Sequence, residues 1–240
     1  MELYDQVLEA VQAIQTRTSL KPEVGVILGS GLGDLATEIA EPAIVPYADI
    51  PHFARSTVKG HAGRLIIGLL ENVPVVAMQG RFHLYEGYHL QVLTLPVRVM
   101  RQLGAHTLIV TNAAGGVNPA YRPGDFMLIR DHINMPGLAG ANPLAGPNDE
   151  RFGGRFPPLA HAYDAQLRAL AHSIAASSPE IMLHEGIYTM VGGPNYETGA
   201  DETGEVNHAE VLAAADAVRP KFAALVRGIV REIPRLIATS

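Results

Sequence analysis

Val24-Gly25-Val26-Ile27-Leu28-Gly29-Ser30-Gly31-Leu32-Gly33 runs from a short apolar stretch straight into a glycine-rich turn. The apolar part predicts a buried strand. In open α/β sheets ligands bind at the carboxyl ends of strands, and glycine there lets backbone N–H groups come close to an anion. Ser30 adds a hydroxyl to the turn. The spacing Gly-x-Gly-x-Gly is not the dinucleotide pattern Gly-x-Gly-x-x-Gly, and no acidic residue follows at the end of a clear second parallel strand. A Rossmann-type dinucleotide site is therefore set aside. On this stretch alone, a phosphate-binding turn and a plain strand-to-helix turn stay open.

Working outward, Leu3, Val7, Leu8, Val11 and Ile14 recur at helical spacing, so a helix opens the chain and Lys21-Pro22 closes it. Asp34 to Ala40 reads as a short helix. Leu65–Leu70 and Val73–Met78 flank Glu71-Asn72 and predict a tight hairpin. Leu90 to Leu103 is helical in pattern, with Pro96 expected to kink it or mark its start. Thr107–Thr111, Phe126–Arg130 and Glu185–Val191 read as strands, and Ala162–Ser177 as a helix. Met135 to Pro158, rich in Gly, Pro and Asn, reads as a long ordered loop, a kind that is usually functional. The last helix is expected from Asn207, with Glu210 giving a capping-box-like start. No repeat or linker stands out, so the alternation predicts one α/β domain with a parallel or mixed sheet covered on both faces.

Composition narrows the function. The chain has 240 residues, 48% hydrophobic and 18% charged, which suits a well-buried core. A net charge of −6 without any basic run argues against nucleic acid and against an acidic membrane surface. The absence of cysteine excludes disulfides, thiolate catalysis and Cys-ligated metals. Neither a signal-type block nor a membrane-length apolar run is present, so a cytoplasmic protein is expected.

Gly80-Arg81-Phe82-His83-Leu84-Tyr85-Glu86-Gly87-Tyr88 follows directly on a predicted strand. If extended backbone persists, Arg81, His83 and Tyr85 share a face. A guanidinium, an imidazole and a phenol together suit an oxyanion bonded to a sugar. Singly, Arg81 reads equally as a surface ion pair and His83 as a satisfied core histidine; the trio favours a site. His61, in Gly60-His61-Ala62-Gly63-Arg64, is an anion contact or simply a loop residue. In Gly192-Gly193-Pro194-Asn195-Tyr196-Glu197-Thr198, Tyr196 offers a stacking face and Glu197 an acceptor for ring N–H groups. A Gly-Pro turn with a solvated glutamate explains that stretch as well. The histidines at 106, 132, 161, 172 and 184 lack metal-type spacing, so no metal site is expected.

These segments, in this order, resemble the trimeric purine nucleoside phosphorylase family, which also includes methylthioadenosine phosphorylases. Thr111-Asn112-Ala113-Ala114-Gly115-Gly116, Arg130-Asp131-His132-Ile133-Asn134 and Gly146-Pro147-Asn148-Asp149-Glu150-Arg151-Phe152 extend the match. The resemblance implies a twisted mixed β-sheet flanked by helices. It implies that Ser30, Arg81, His83 and the Ala113 N–H hold phosphate, with His61 closing over it. Tyr85 would contact the ribose and Tyr196 would stack near base or sugar. Glu197 would bond the purine N1–H edge, and His208 the ribose 5′-hydroxyl. Phe156 matches a residue that reaches into a neighbouring subunit's site, which implies a homotrimer. His83 and Glu197 are the expected catalytic residues. The implied reaction is phosphorolysis of 6-oxopurine nucleosides (inosine, guanosine), with inorganic phosphate as co-substrate and no cofactor. Glu197 in place of a neutral residue disfavours adenosine and methylthioadenosine.

After Thr198 the family pattern continues with a helix, a strand ending in Met-Ser, a second helix and a strand ending in Thr-Asn. Here Ala200 to Glu205 leads almost at once into the terminal helix. The block that is missing carries the family's Asn on purine N7, a Ser on phosphate and a Met under the ribose. The expectation is a single nucleoside phosphorylase domain over residues 1–240, with a deletion between about 198 and 206 and a reduced sheet. A longer parent chain, a chain refolded around fewer strands, and an impaired nucleoside- or phosphate-binding form each follow from this break.

Overall fold

Each residue of the strand β1 (Val24–Leu28) is buried, and the first sheet is built around it. In the computed structural model of the chain, residues 2–29, 33–55, 62–191 and 208–238 are described, the last segment by its backbone alone as far as 212. They form two compact units, one from Met1–Gly29, Gly33–Thr111 and Gly140–Pro157, the other chiefly from Asn112–Ala139 and Pro158–Ser240.

In the first unit β1 pairs in parallel with β4 (Val73–Gln79) on one side and β5 (Thr107–Val110) on the other. Antiparallel to β4 lies β3 (Arg64–Leu70), and antiparallel to β3 lies β2 (Ala40–Pro46), giving the order β2-β3-β4-β1-β5. Strand alternation sorts the core. Ile27, Leu65, Ile67, Val76 and Met78 face a cluster with Val7, Ala10, Val11 and Ile14 of α1 (Leu3–Gln15) and with Leu95, Val99, Met100 and Leu103 of α2 (Leu90–Leu103). On the opposite face Val26, Leu28, Val75 and Ala77 border a small cavity with Leu35, Ala36 and Ile39, from the 3-10 turn Gly33–Glu38 and the residue after it.

The expected hairpin forms between β3 and β4. Its two turn residues, Glu71 (φ 52°) and Asn72 (φ 63°), are both left-handed, as a two-residue turn between twisted strands requires. The α/β class with a mixed sheet and helices is likewise as expected. Three local readings differ. Helix α1 stops at Gln15, before Lys21-Pro22, where the Thr16 N–H bonds back to Gln12 and the apolar spacing has run out. Helix α2 starts at Leu90 and continues through a buried Pro96, because its apolar face packs on the sheet and outweighs the lost backbone bond. Strand β2 carries no apolar alternation and holds Pro42 and Pro46; it is a mostly exposed edge strand, the place where proline is tolerated.

In the second unit β6 (Phe126–Asn134) pairs in parallel with β7 (Leu183–Met190), with an irregularity between Ile129 and Asp131. The long loop predicted from Met135 contains a short helix, α3 (Met135–Leu138), and a 3-10 turn at Glu150–Phe152. Helix α4 (Ala165–Ala176) is capped by Asp164, whose carboxylate accepts the Leu167 N–H at 2.8 Å. The last helix, α5 (His208–Ala238), packs on α4 so closely that a Cβ on Gly228 would lie 2.8 Å from Ile174 Cγ2. The expected Asn207–Glu210 cap lies outside the described side chains. Successive residues of β7 point to opposite faces and anchor different partners. Glu185 accepts from Arg168 Nη1 at 2.6 Å and pairs with His172 Nε2 at 2.8 Å, both on α4. His184 pairs with Asp125 at 2.9 Å, just before β6.

In β3 a Cβ on Gly68 would lie 2.6 Å from Ile39 Cγ2 and press on the Ala40 carbonyl. Gly68→Ala therefore lowers stability by about 1–3 kcal/mol, read as a reduced urea midpoint. The His172 bond holds the Glu185 carboxyl below its ordinary range, and the Arg122 backbone N–H followed by His184 does so for Asp125. A carboxyl lowered in the folded state stabilises fully above its unfolded value and loses that contribution as pH falls through the folded one. The urea midpoint accordingly falls as the pH is lowered through and below the ordinary carboxyl range, and Glu185→Gln shows a smaller acid-dependent fall from a lower starting midpoint.

Candidate active site

Because β4, β1 and β5 are parallel neighbours, Gln79, Leu28 and Val110 end side by side at one edge of the first sheet. Thr111 ties two of those ends together. Its buried hydroxyl donates to the Ile27 carbonyl at 2.9 Å and accepts the Gly29 N–H at 2.9 Å. Its own N–H bonds Ile27 as well, at 3.1 Å. The far side of the glycine turn is held from β4, where Gln79 Nε2 donates to the Gly33 carbonyl at 2.9 Å and Gln79 Oε1 accepts from Arg64 at 2.6 Å. The turn that follows β1 is thus gripped at both of its described ends.

The segment after β4 is placed by what it buries. Phe82 is 8% exposed and packs against Tyr47 and Phe53, with ring centroids 5.0 and 6.3 Å away. With Phe82 turned inward, its neighbours Arg81 and His83 turn the other way. Tyr47, buried among apolar groups that raise its phenol pKa, donates at 2.6 Å to the carbonyl of Gly80. Gly80 itself has φ 96°, which favours glycine at this bend.

Arg81 donates from Nη1 to the Thr111 carbonyl at 2.6 Å and from Nε to His83 Nε2 at 3.3 Å. An imidazole that accepts at Nε2 carries its proton on Nδ1, and Nδ1 lies 3.4 Å from Glu86 Oε1. The Glu86 side chain is 1% exposed and also accepts the His83 N–H at 2.7 Å. Beyond His83 the chain leaves the extended conformation for a 3-10 turn, Leu84–Glu86, closed by Gly87 at φ 85°. That turn lays Tyr85 on His83, rings 4.8 Å apart and 20° from parallel. The predicted trio converges, although by a strand end followed by a turn rather than by continued extension.

A family model described as the phosphorylase superfamily matches residues 23–218. The chain is 49% identical over 222 residues to the purine nucleoside phosphorylase of Bos taurus, covering 88% of this chain and 77% of that one. The chain belongs to the purine nucleoside phosphorylase family. These are glycosyltransferase-type enzymes. Purine nucleoside phosphorylase 1 of Bacillus subtilis is 53% identical over 197 residues, covering 82% of this chain and 71% of its own. Among solved structures, Schistosoma mansoni isoform 2, in complex with cytosine and ribose-1-phosphate, superimposes with a TM-score of 0.89 at 37% identity, covering 96% of this chain and 97% of its own. The S. mansoni enzyme in complex with inosine gives 0.88 at 36%, with 95% and 96% covered.

Of the residues that the family resemblance singles out, Arg81, His83 and Tyr85 come together in the first unit. Ala113 follows Thr111 by two positions, at the start of the second unit, and its carbonyl accepts from Asn112 Nδ2 at 3.0 Å. Phe156 is 89% exposed, four residues past the 3-10 turn Glu150–Phe152. His208 opens α5, where only the backbone is described. Ser30, His61, Tyr196 and Glu197 lie outside the described residues. Among the described residues no three His, Asp or Glu side chains gather as metal ligands. Sequence reasoning missed Glu86, Thr111, Gln79 and Tyr47 as the groups that orient the site. A signal existed for Glu86, since its spacing of three from His83 is that of an N-terminal cap box.

Replacing Tyr47 by Phe keeps the ring packing and orphans the buried Gly80 carbonyl. The expected loss is about 1–3 kcal/mol of unfolding free energy, measured by urea denaturation.

Proposed function

We propose that this chain catalyses the phosphorolysis of 6-oxopurine nucleosides, inosine and guanosine, to free base and ribose 1-phosphate. The observation that carries this reading is the convergence of Arg81, His83 and Tyr85 beside the carboxyl ends of three parallel strands. The C1′–N9 bond breaks as a phosphate oxygen bonds to C1′; the sugar becomes cation-like, and the base leaves as an anion that then takes up a proton. Arg81 and His83, with Ser30, His61 and the Ala113 N–H, hold phosphate under C1′, where its charge stabilises the cation before it attacks. Tyr85 and Tyr196 flank the ribose and base, and His208 takes the 5′-hydroxyl. Glu197 accepts from the purine N1–H, a donor that a 6-oxopurine has and adenosine lacks. Glu86 acts through His83 as a positioning residue. No cofactor takes part in this scheme, in which phosphate is the co-substrate.

The purine preference draws support from Schistosoma structures that hold inosine, guanosine and hypoxanthine, while another holds adenosine. We read both compact units as one nucleoside phosphorylase domain, since a single family match spans them. We read the short link between about 198 and 206 as a deletion relative to the family, a reading supported by the unequal coverage of this chain and its bovine relative, 88% against 77%. A homotrimer in the cytoplasm, with Phe156 entering a neighbour's site and neither nucleic acid nor membrane as partner, completes the reading. Among the described residues no helix is long and apolar enough to cross a membrane.

Phosphate-dependent release of hypoxanthine from inosine tests this proposal, with methylthioadenosine assayed in parallel. Release from inosine at saturating phosphate supports it, and faster release of adenine from methylthioadenosine reassigns the substrate. The missing block favours a second reading, a nucleoside- or phosphate-binding form without turnover, in which inosine raises the melting temperature and no base is released. In the active case Arg81→Ala raises the phosphate KM about 10–100-fold, the effect of removing about 1.5–3 kcal/mol of charged hydrogen bonding.

A further inference from the structure

Upstream of Phe156 the loop is tied to the first turn of α1 and to the middle of α2. Arg151 donates from Nη2 to Glu2 Oε2 at 2.6 Å and to Asp149 Oδ2 at 2.6 Å, and from Nε to Asp149 Oδ1 at 2.8 Å. Its guanidinium carbon stands 4.2 Å from the centre of the Tyr4 ring. The Tyr4 ring lies 5.2 Å from that of Phe152, and the Arg98 guanidinium of α2 stands 5.4 Å from the Phe152 ring. The result is a row of cation, ring, ring and cation, the two rings tilted by 56°, drawn in turn from the loop, α1, the loop and α2. Arg98 is itself steadied by Thr94, to which it donates at 2.9 Å.

An exposed ion pair contributes little to stability, and a surface loop needs no such fastening to keep the protein folded. Two cations set over rings, one of them a forked guanidinium, do, however, fix the position and direction of the loop. The fastening is close to the residue it would aim. Gly153 to Phe156 is only four residues, so Phe156 swings on a tether of at most about 14 Å. The loop is further closed on itself by Asn148 Nδ2 on the Gly153 carbonyl at 3.2 Å and by Arg155 on the Gly146 carbonyl. Phe156 nevertheless remains 89% exposed, so the fastening holds an outward-facing ring in place.

We propose that Glu2 and Tyr4, through Arg151 and Phe152, form a positioning brace that holds Phe156 for the nucleoside site of a neighbouring copy of this chain. This rests on the reading of Phe156 given above. A loop held before assembly loses less conformational freedom on docking, so the brace acts on nucleoside affinity and leaves phosphate affinity alone.

The test compares Tyr4→Ala, Tyr4→Phe, Arg151→Ala, Phe156→Ala and the double variant Arg151→Ala/Phe156→Ala. Inosine and phosphate KM values are the readout, with inosine affinity by calorimetry standing in where turnover is absent. Arg151→Ala and Tyr4→Ala are expected to raise the inosine constant about 3–10-fold with the phosphate constant unchanged, the size of an effect from one or two loosened side chains. Tyr4→Phe keeps the ring and stays within about twofold, because only the ring is used. In the Phe156→Ala background, Arg151→Ala adds nothing further. Backbone hydrogen exchange at residues 153–156, which needs no activity, speeds up in Arg151→Ala. If Phe156→Ala raises the inosine constant while Arg151→Ala does not, the brace is overturned and the Phe156 reading stands. If Phe156→Ala changes nothing, the Phe156 reading fails and the brace for it with it. Additive effects in the double variant, or unchanged exchange at 153–156, also overturn the brace.

Discussion

Thr111 makes the contact on which the arrangement of the site depends. Through its hydroxyl it closes the space between the ends of β1 and β5 and captures the first N–H of the glycine turn. Through its carbonyl it receives the Arg81 guanidinium. Each of these groups, if buried and unmade, would cost roughly 1–3 kcal/mol, so a small polar side chain at the close of an apolar strand does more than cap it. It makes the placement of the arginine a consequence of strand register. Wherever β1 and β5 pair as they do, the arginine's anchor is in the same place.

Much of this was legible from residue pattern because the decisive elements are local. The buried run at β1 and the two left-handed residues between β3 and β4 are signals carried by a handful of adjacent positions. Arg81, His83 and Tyr85 were legible as a group because they alternate around a phenylalanine that has to be buried. The elements that were missed depend on distant neighbours. Strand β2 exists because β3 offers an edge, and its own sequence, broken by two prolines, carries no alternation. Pro96 is tolerated because the helix around it is pressed on a sheet that no local window contains. The partners of the Thr111 hydroxyl are more than eighty positions away, which no spacing rule reaches.

The second unit follows a different economy of contacts. Its two parallel strands carry intermediate and exposed positions along most of their length, in contrast to the fully buried β1. Side-chain pairs take a larger share of the work there, with Glu185 fastening α4 to β7 and His184 fastening β7 to the turn before β6. Apolar packing between α4 and α5 supplies the remainder. A sheet of five strands and a sheet of two thus reach order by different means, hydrophobic layering in the one and charge-assisted clamps in the other.

The hydrogen bond from Arg81 to His83 has a thermodynamic consequence. As arranged, Nε2 of the imidazole accepts from the arginine, and Nδ1 lies on the Glu86 side. An oxyanion that draws the arginine's Nε–H to itself would leave Nε2 facing a negative oxygen with a lone pair, and that nitrogen bonds it only as an N–H. The ring reaches that form either by taking a proton from solution or by moving its own proton across from Nδ1. The two routes separate calorimetrically: the heat of association changes with the ionisation enthalpy of the buffer in the first and not in the second.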